Sequence, residues 1–254
     1  MIENILEPLV CGRFLTEEKY REGHLRILNV LPARRVMGLH VPEMKSVAKK
    51  LSHSAEEYIE RFVTAPRHTL FYEEMVVWGY LINMCNCTLE QRFNHLHSYV
   101  PVLDNWAVCD SYCAHAKWMA KVDRGILWSF LAPYFDSLRE FEVRFGIVAS
   151  MCYMLDEEWL NVVFERIDSI DFERITSEYH TVKRRPDRVQ TGAVQGASPY
   201  YVRMAVAWLL ATALAKFPEQ TRAFVAASSL PDDVIRLYVR KARESFRTRN
   251  VAPL

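Results

Sequence analysis

Trp106 and Asp110 are the residues whose types and spacing most directly suggest chemistry. They stand four positions apart in the segment from Leu103 to Tyr112, so a helix places the indole and the carboxylate side by side. Such a pair can stabilise a transition state that develops positive charge, because the carboxylate and the indole ring face both attract a cation. The alternative is structural, with a core tryptophan and a capping or surface aspartate.

Arg144 and Trp208 are two further candidates in apolar surroundings. Arg144 has largely apolar neighbours, so its guanidinium needs a partner: either a carboxylate in an internal ion pair or a phosphate, which the guanidinium fork fits bidentately. Trp208 lies in a segment that is apolar on all sides, where a core position is the default for a tryptophan.

Basic residues are unevenly distributed, although the formal net charge is only +1, which excludes a uniformly cationic nucleic-acid binder. The first cluster contains five basic residues and one acidic residue, Asp187. The basic residues are Lys183, Arg184, Arg185, Arg188 and Arg203. A second follows helical spacing and comprises Arg236, Arg240, Arg243 and Arg247. Beside the second cluster we expect an apolar face that docks the helix on the body, made of Ile235, Val239, Ala242 and Phe246. These arginines predict a DNA-binding surface, with a solvated face as the alternative.

The six cysteines predict reduced thiols rather than disulfides, because the first twelve residues carry no secretory signal. A zinc site can be assembled on paper from the cysteines and histidines at two places in the chain: Cys85, Cys87, His95, His97, Cys109, Cys113 and His115. No CxxC or HxxxH pair anchors it, so the sequence predicts no metal and no cofactor.

The elements that position these residues are predicted to be helices. Half of the residues are hydrophobic, glycine is scarce, and apolar residues recur at helical spacing. Prolines stand at or near the start of successive segments, where they suit a first helical turn: Pro42, Pro66, Pro101, Pro133, Pro199, Pro218 and Pro231.

Comparable apolar helices begin at intervals of roughly 33 to 40 residues, a period typical of HEAT-like repeats. We therefore expect an all-α, right-handed superhelical solenoid of antiparallel helix pairs, forming a single domain over residues 1–254 with an inserted flexible loop near 183–198. The longest uncharged apolar run, residues 204–215, is too short for a membrane span, so we expect a cytoplasmic protein. We also expect a monomer.

Four segments, in order, resemble the AlkD type of HEAT-like DNA alkylation repair glycosylase. Gly38 to Glu43 is similar to an early glycine–proline turn of that family, and Asp104 to Asp110 resembles its catalytic segment. Val143 to Phe145 resembles its phosphate-contacting arginine segment, and Ala205 to Trp208 its second tryptophan segment. The resemblance covers roughly residues 38 to 224, and it departs from the family at Ala211, where active members carry an arginine.

The resemblance implies a monofunctional glycosylase that cuts the N-glycosidic bond of cationic alkylpurines in duplex DNA without metal and without base flipping. It implies that Asp110 stabilises the sugar oxocarbenium ion, that Trp106 and Trp208 pack against the deoxyribose, and that Arg144 holds a phosphate. Two alternatives from other classes are a catalytically silent DNA-binding or damage-sensing relative and a HEAT-like protein-interaction scaffold.

Overall fold

The computed structural model describes residues 1–180 and 199–254, and within them the chain is all-α. The β-structure in these ranges is limited to an isolated bridge between Arg139 and Thr176. The predicted helical class is therefore confirmed, whereas the predicted loop near 183–198 lies outside the described residues. Two compact units make up the described chain: Met1–Trp118, and Met119–His180 with 199–254. The single-domain organisation stays a prediction.

The first unit is built from helices that stack in two layers. Its α-helices are α1 Glu3–Leu6, α2 Gly12–Thr16, α3 Glu18–Leu28, α4 Val41–Leu51, α5 Ala55–Thr64, α6 Tyr72–Met84, α7 Leu89–Tyr99 and α8 Trp106–His115. Helix α6 packs between α4 and α8, and α5 packs on both α6 and α7. This alternation is what stacked helix pairs produce. The right-handed superhelix stays a prediction.

Helix α6 forms the centre of the first unit because it is buried on nearly every side. The Trp78 ring stacks on Phe62 with 5.6 Å between centroids and meets the edge of Tyr99 at 5.1 Å. Gly79 allows the close approach of Tyr99, since a Cβ at position 79 would lie 2.5 Å from the Tyr99 hydroxyl oxygen. Large aromatic contacts of this kind dominate the energy of a helical core.

The turn from Gly38 into α4 is fixed by a buried carboxylate. The backbone N–H groups of Met37, Gly38 and Leu39 donate to Glu73 at 3.0, 2.7 and 3.3 Å. Gly38 has φ +94°, a left-handed conformation that favours glycine, and a Cβ there would lie 2.1 Å from Cγ of Phe14. The early glycine–proline segment is therefore a folding element of the first unit.

The second unit repeats the stacking pattern. Its α-helices are α9 Arg124–Leu131, α10 Glu140–Tyr153, α11 Leu160–Asp168, α12 Tyr200–Lys216, α13 Pro218–Ala227 and α14 Asp232–Glu244. Helix α12 packs between α10 and α14. The Phe164 and Phe224 rings stack with 4.4 Å between centroids, which joins α11 to α13.

The prolines mark the starts of helical elements, as predicted. Pro42 and Pro218 occupy the first turns of α4 and α13, and Pro199 and Pro231 are the N-cap residues of α12 and α14. The others lie in or next to short 3-10 helices: Pro66, Pro101 and Pro133. No helix in the described ranges is long and apolar enough to cross a membrane.

Candidate functional site

Trp106 and Asp110 lie on the same accessible side of helix α8. Both side chains are half-buried, while Ala107, Val108 and Cys109 between them are buried. One helical turn separates the indole from the carboxylate, so both face the same side of the helix. The two residues are thus neighbours on one helix of the first unit, as their spacing predicted.

The indole of Trp106 is anchored by the end of α3. Its Nε1 donates to the Leu28 carbonyl at 3.0 Å, and Nδ2 of Asn105 donates to the same oxygen at 2.8 Å. Asn105 is also the N-cap of α8, because its Oδ1 accepts from the Ala107 N–H at 2.8 Å. Next to Leu28, Asn29 ends α3 in the left-handed conformation. These bonds fix the position of the indole before any ligand binds.

A buried ion pair holds the chain immediately before this anchor. The Arg34 guanidinium donates to Oδ2 of Asp104 through Nε at 3.0 Å and Nη2 at 2.5 Å, and Arg67 lies 3.4 Å from the same oxygen. Arg34 also donates through Nη1 to the carbonyls of Arg67 and Leu70. Sequence reasoning missed Arg34, because its partner is 70 residues away.

Arg144 lies in the second unit and is only 3% exposed. Its Nη1 donates to the Tyr201 carbonyl at 2.7 Å, and its guanidinium carbon lies 5.9 Å from the centre of the Tyr201 ring. In this conformation the side chain joins α10 to the start of α12. A phosphate contact from Arg144 stays a prediction.

Trp208 is the exposed member of an otherwise buried helix. It is 37% exposed, whereas its neighbours Ala207 and Leu209 are fully buried. The accessible side of α12 runs through residues at four-residue spacing: Tyr200, Met204, Trp208 and Thr212. The default prediction that Trp208 is a core residue is therefore wrong, since the residue is exposed to solvent. The convergence of Trp106, Asp110, Arg144 and Trp208 on one concave surface stays a prediction, because the first two lie in the first unit and the others in the second.

Arg203 has an internal role that the prediction of a DNA contact did not include. It is 5% exposed and pairs with Asp233 at 2.9 Å and Glu173 at 3.3 Å. Its guanidinium also lies 4.7 Å from the centre of the Phe172 ring. These two carboxylates neutralise the buried guanidinium in this conformation, and a DNA contact from Arg203 stays a prediction.

Helix α14 carries three of the four predicted arginines. One of the three is ion-paired, and the fourth arginine lies beyond the end of the helix. Arg236 and Arg243 are exposed, and Arg240 pairs with Glu244 at 2.9 Å. Arg247 is exposed but lies beyond the end of the helix at Glu244.

The docking face of α14 also differs from the predicted one. It consists of Val234, Leu237, Tyr238 and Ala242, of which only Ala242 was predicted. Ile235 and Val239 instead line a shallow groove with Leu254 and the arginines, and Phe246 is 81% exposed. Apolar residues therefore lie beside the exposed arginines.

Two further groups in the first unit have reactive side chains. A hydrogen bond with His40, together with one from the Phe14 backbone, lowers the pKa of the Cys11 thiol to about 7. Elsewhere in that unit, Glu56, Cys85, Cys87 and His95 bring four potential metal-ligand atoms within 4.8 Å of one another.

The described residues define an all-α protein in which an anchored indole and an accessible carboxylate lie one helical turn apart. The chain belongs to the family described as DNA alkylation repair enzyme, whose family model matches residues 18–176. This membership assigns the protein an enzymatic role in the repair of alkylated DNA. The matched range contains Trp106, Asp110 and Arg144, whereas Trp208 and the α14 arginines follow it. Comparisons with curated proteins and with solved structures give no significant match.

Proposed function

We propose that this protein is a monofunctional DNA glycosylase that hydrolyses the N-glycosidic bond of cationic alkylated purines in duplex DNA. The observation that carries the proposal is the α8 pair: Asp110 is accessible one turn from the anchored Trp106, inside the range that matches the repair family. The lesions concerned are of the 3-methyladenine and 7-methylguanine type.

The chemistry follows from the charge of the lesion. Alkylation makes the purine a cation, so breaking the bond from C1′ to the base nitrogen releases a neutral base and transfers the positive charge to the sugar. Asp110 stabilises the resulting oxocarbenium ion and orients a water molecule, which adds to C1′ and loses a proton to solvent. Because the leaving base is neutral, little general-acid catalysis is needed.

Trp106 and Trp208 supply surfaces for the deoxyribose in this proposal. An indole face attracts the developing cation and excludes water on one side of the sugar. The hydrogen bond from Trp106 to Leu28 supports this role, since a fixed ring loses no rotational freedom when the sugar binds. The 37% exposure of Trp208 supports the same role for the second indole.

Removal of the Asp110 charge tests the mechanism. We expect Asp110→Asn to keep the fold and duplex binding but to lower single-turnover release of 7-methylguanine by at least about a hundredfold, since one preorganised electrostatic contact contributes ~3 kcal/mol in the transition state. Trp106→Ala and Trp208→Ala should have smaller effects, because the carboxylate remains.

Asp123→Asn is the matched control. Asp123 is an exposed N-cap on α9 that accepts from the Ile126 N–H, a role that asparagine also fills, so excision should be unchanged. Excision by Asp110→Asn at the wild-type rate would remove Asp110 from the mechanism. If the wild type releases nothing beyond spontaneous depurination, the protein is a silent DNA-binding relative.

We further propose that the exposed arginines of α14 contact DNA phosphates. Arg236 and Arg243 have no carboxylate partner among the described residues, so their charges are available to a phosphate. They also lie beside the apolar residues of the groove, which is unusual for a purely solvated helix face. Reversing both to Glu should weaken duplex binding equally for different sequences. It should also reduce the slope of log affinity against log salt by about 2, because each phosphate that the protein neutralises contributes about 0.9 to that slope.

The charge-matched control reverses Lys49 and Lys50, which are exposed at the end of α4. It changes the net charge by the same amount on another helix, so its salt slope should stay close to that of the wild type. Duplex binding that is absent at low salt, or unaffected by the arginine reversals, would favour the protein-interaction scaffold.

A further inference from the structure

Side chains from two helices and one connecting loop meet in the first unit. Glu56 lies in the first turn of α5, Cys85 and Cys87 lie in the connection from α6 to α7, and His95 lies on α7. Oε1 of Glu56 accepts from Sγ of Cys85 at 3.0 Å, and Oε2 of Glu56 lies 2.9 Å from Nε2 of His95. Among the described residues, this is the group that assembles three or more metal-ligand atoms.

We propose that Glu56, Cys85, Cys87 and His95 bind one zinc ion as a structural site. Two sulfurs, an imidazole nitrogen and a carboxylate oxygen form a donor set that Zn²⁺ accepts in tetrahedral geometry, with bonds of about 2.0–2.3 Å. The edges of such a tetrahedron are about 3.3–3.8 Å long. The short pairs, 2.9 and 3.0 Å apart, must therefore open by about 0.5 Å, and the longest, at most 4.8 Å apart, must close by up to about 1 Å.

The orientation of His95 supports a ligand role. Its Nε2 atom is buried and lies 2.9 Å from Oε2 of Glu56, within the distance of an ion pair. The same nitrogen and oxygen can serve as two ligands of one ion, because a neutral imidazole offers a lone pair at Nε2 when its proton is on Nδ1.

The loop that carries both cysteines is held in place by protein contacts. Arg92 donates through Nη1 to the Ile82 carbonyl and through Nη2 to the Cys85 carbonyl at 2.6 Å. Thr88 and Gln91 form a reciprocal capping box at the start of α7, with bonds of 2.8 and 3.2 Å. The thiols are thus near their binding positions before the ion arrives, which lowers the entropic cost of binding.

The four ligands define the chemistry and the role of the site. Binding replaces two thiol protons, which pass to solvent, and involves no oxidation or reduction. With four protein ligands the ion has no open position for substrate, so its effect is to join α5 to the α6–α7 connection and to α7. The zinc proposal is independent of the glycosylase proposal, because none of these residues takes part in excision.

The test uses the full-length chain purified under reducing conditions. We expect one zinc ion per chain by elemental analysis after equilibration with Zn²⁺, and a dissociation constant below about 1 µM. Co²⁺ should give thiolate charge-transfer absorption and the d–d bands of a tetrahedral site. Zn²⁺ should also raise the melting temperature, because it binds the folded chain more tightly than the unfolded one.

Cys87→Ser and His95→Gln should each weaken metal binding at least about a hundredfold and abolish the rise in melting temperature. Cys152→Ser, an exposed thiol outside the group, is the control and should bind as the wild type does. The absence of a tetrahedral Co²⁺ spectrum in the wild type would overturn the proposal, and this measurement needs no variant to fold. Unchanged stoichiometry in both ligand variants would overturn it as well.

Discussion

Replacing Arg34 by Met should destabilise the protein far more than the removal of an ordinary surface ion pair. Methionine keeps much of the length of the arginine stem but removes the guanidinium, which leaves Asp104 buried in the first unit with its main partner gone. The two side chains are each 4% exposed in the pair, so water does not replace the missing hydrogen bonds without a structural change. The perturbation therefore isolates the cost of a buried charge.

The expected decrease is about 3 kcal/mol in the free energy of unfolding. Breaking one side of a buried pair costs about 3–5 kcal/mol, and Arg67, 3.4 Å from the same oxygen, keeps the decrease at the lower end of that range. Two carbonyls, those of Arg67 and Leu70, are also left without this donor. A decrease of about 3 kcal/mol changes the unfolding equilibrium by about a hundredfold and leaves a protein of ordinary stability folded at room temperature.

Arg13→Met provides the comparison, because Arg13 and Glu17 form a pair at 2.8 Å with side chains 63% and 49% exposed. This variant should be destabilised much less than Arg34→Met, because both side chains are largely exposed and solvent screens their attraction. Urea unfolding followed by circular dichroism gives both values, and hydrogen exchange should show faster opening at the start of α8 in Arg34→Met only. Equal destabilisation of the two variants, below about 1 kcal/mol, would refute the buried-charge argument.

The remaining predictions concern the turn at Gly38 and the thiol beside it. Gly38→Ala should lower the free energy of unfolding by about 3 kcal/mol, because the positive φ and the overlap of a Cβ with Phe14 both disfavour alanine. Gly23→Ala is the control in the same denaturation assay. It lies in open space within α3 and should raise the free energy of unfolding by about 0.5–1 kcal/mol. The rate of Cys11 alkylation should be half-maximal near pH 7, because only the thiolate reacts and its pKa is lowered to about 7. His40→Ala should move that midpoint upward, and an unchanged midpoint by mass spectrometry would exclude His40 as the cause.

Local sequence signals predicted the helices and the Trp106–Asp110 pair, because both depend on spacing along one element. The i and i+4 positions determine which side chains share a face, and the N-cap and proline preferences determine where helices begin. The regular spacing of the apolar helices likewise indicated stacked helix pairs, because it too is read along the chain. None of these inferences needed to know which residues meet across the fold.

The errors arose where a long-range interaction decides the outcome. The internal partners of Arg203, Glu173 and Asp233, were not predicted from the sequence, because each lies 30 residues away. On α14, two neighbouring apolar stripes are both compatible with helical spacing, and packing against α12 selects the stripe with Leu237 and Tyr238.

The proposed zinc site depends on long-range interactions in the same way. Cys85 and Cys87 have no recognisable metal-binding spacing, and Glu56 joins them from 29 residues before Cys85. Spacing rules describe ligands that share one short loop, so they do not detect a site assembled from three elements.

The anchor of Trp106 has a consequence for how the protein tolerates mutation. The indole donates to the carbonyl of Leu28, an atom of the main chain, so the acceptor persists whatever side chain occupies that position. Only a change that alters the end of α3, where Asn29 takes its left-handed conformation, removes the acceptor. The orientation of the indole is therefore determined by the main chain at the end of α3, and the conformation of Asn29 matters more directly to it than the chemistry of the side chain at position 28.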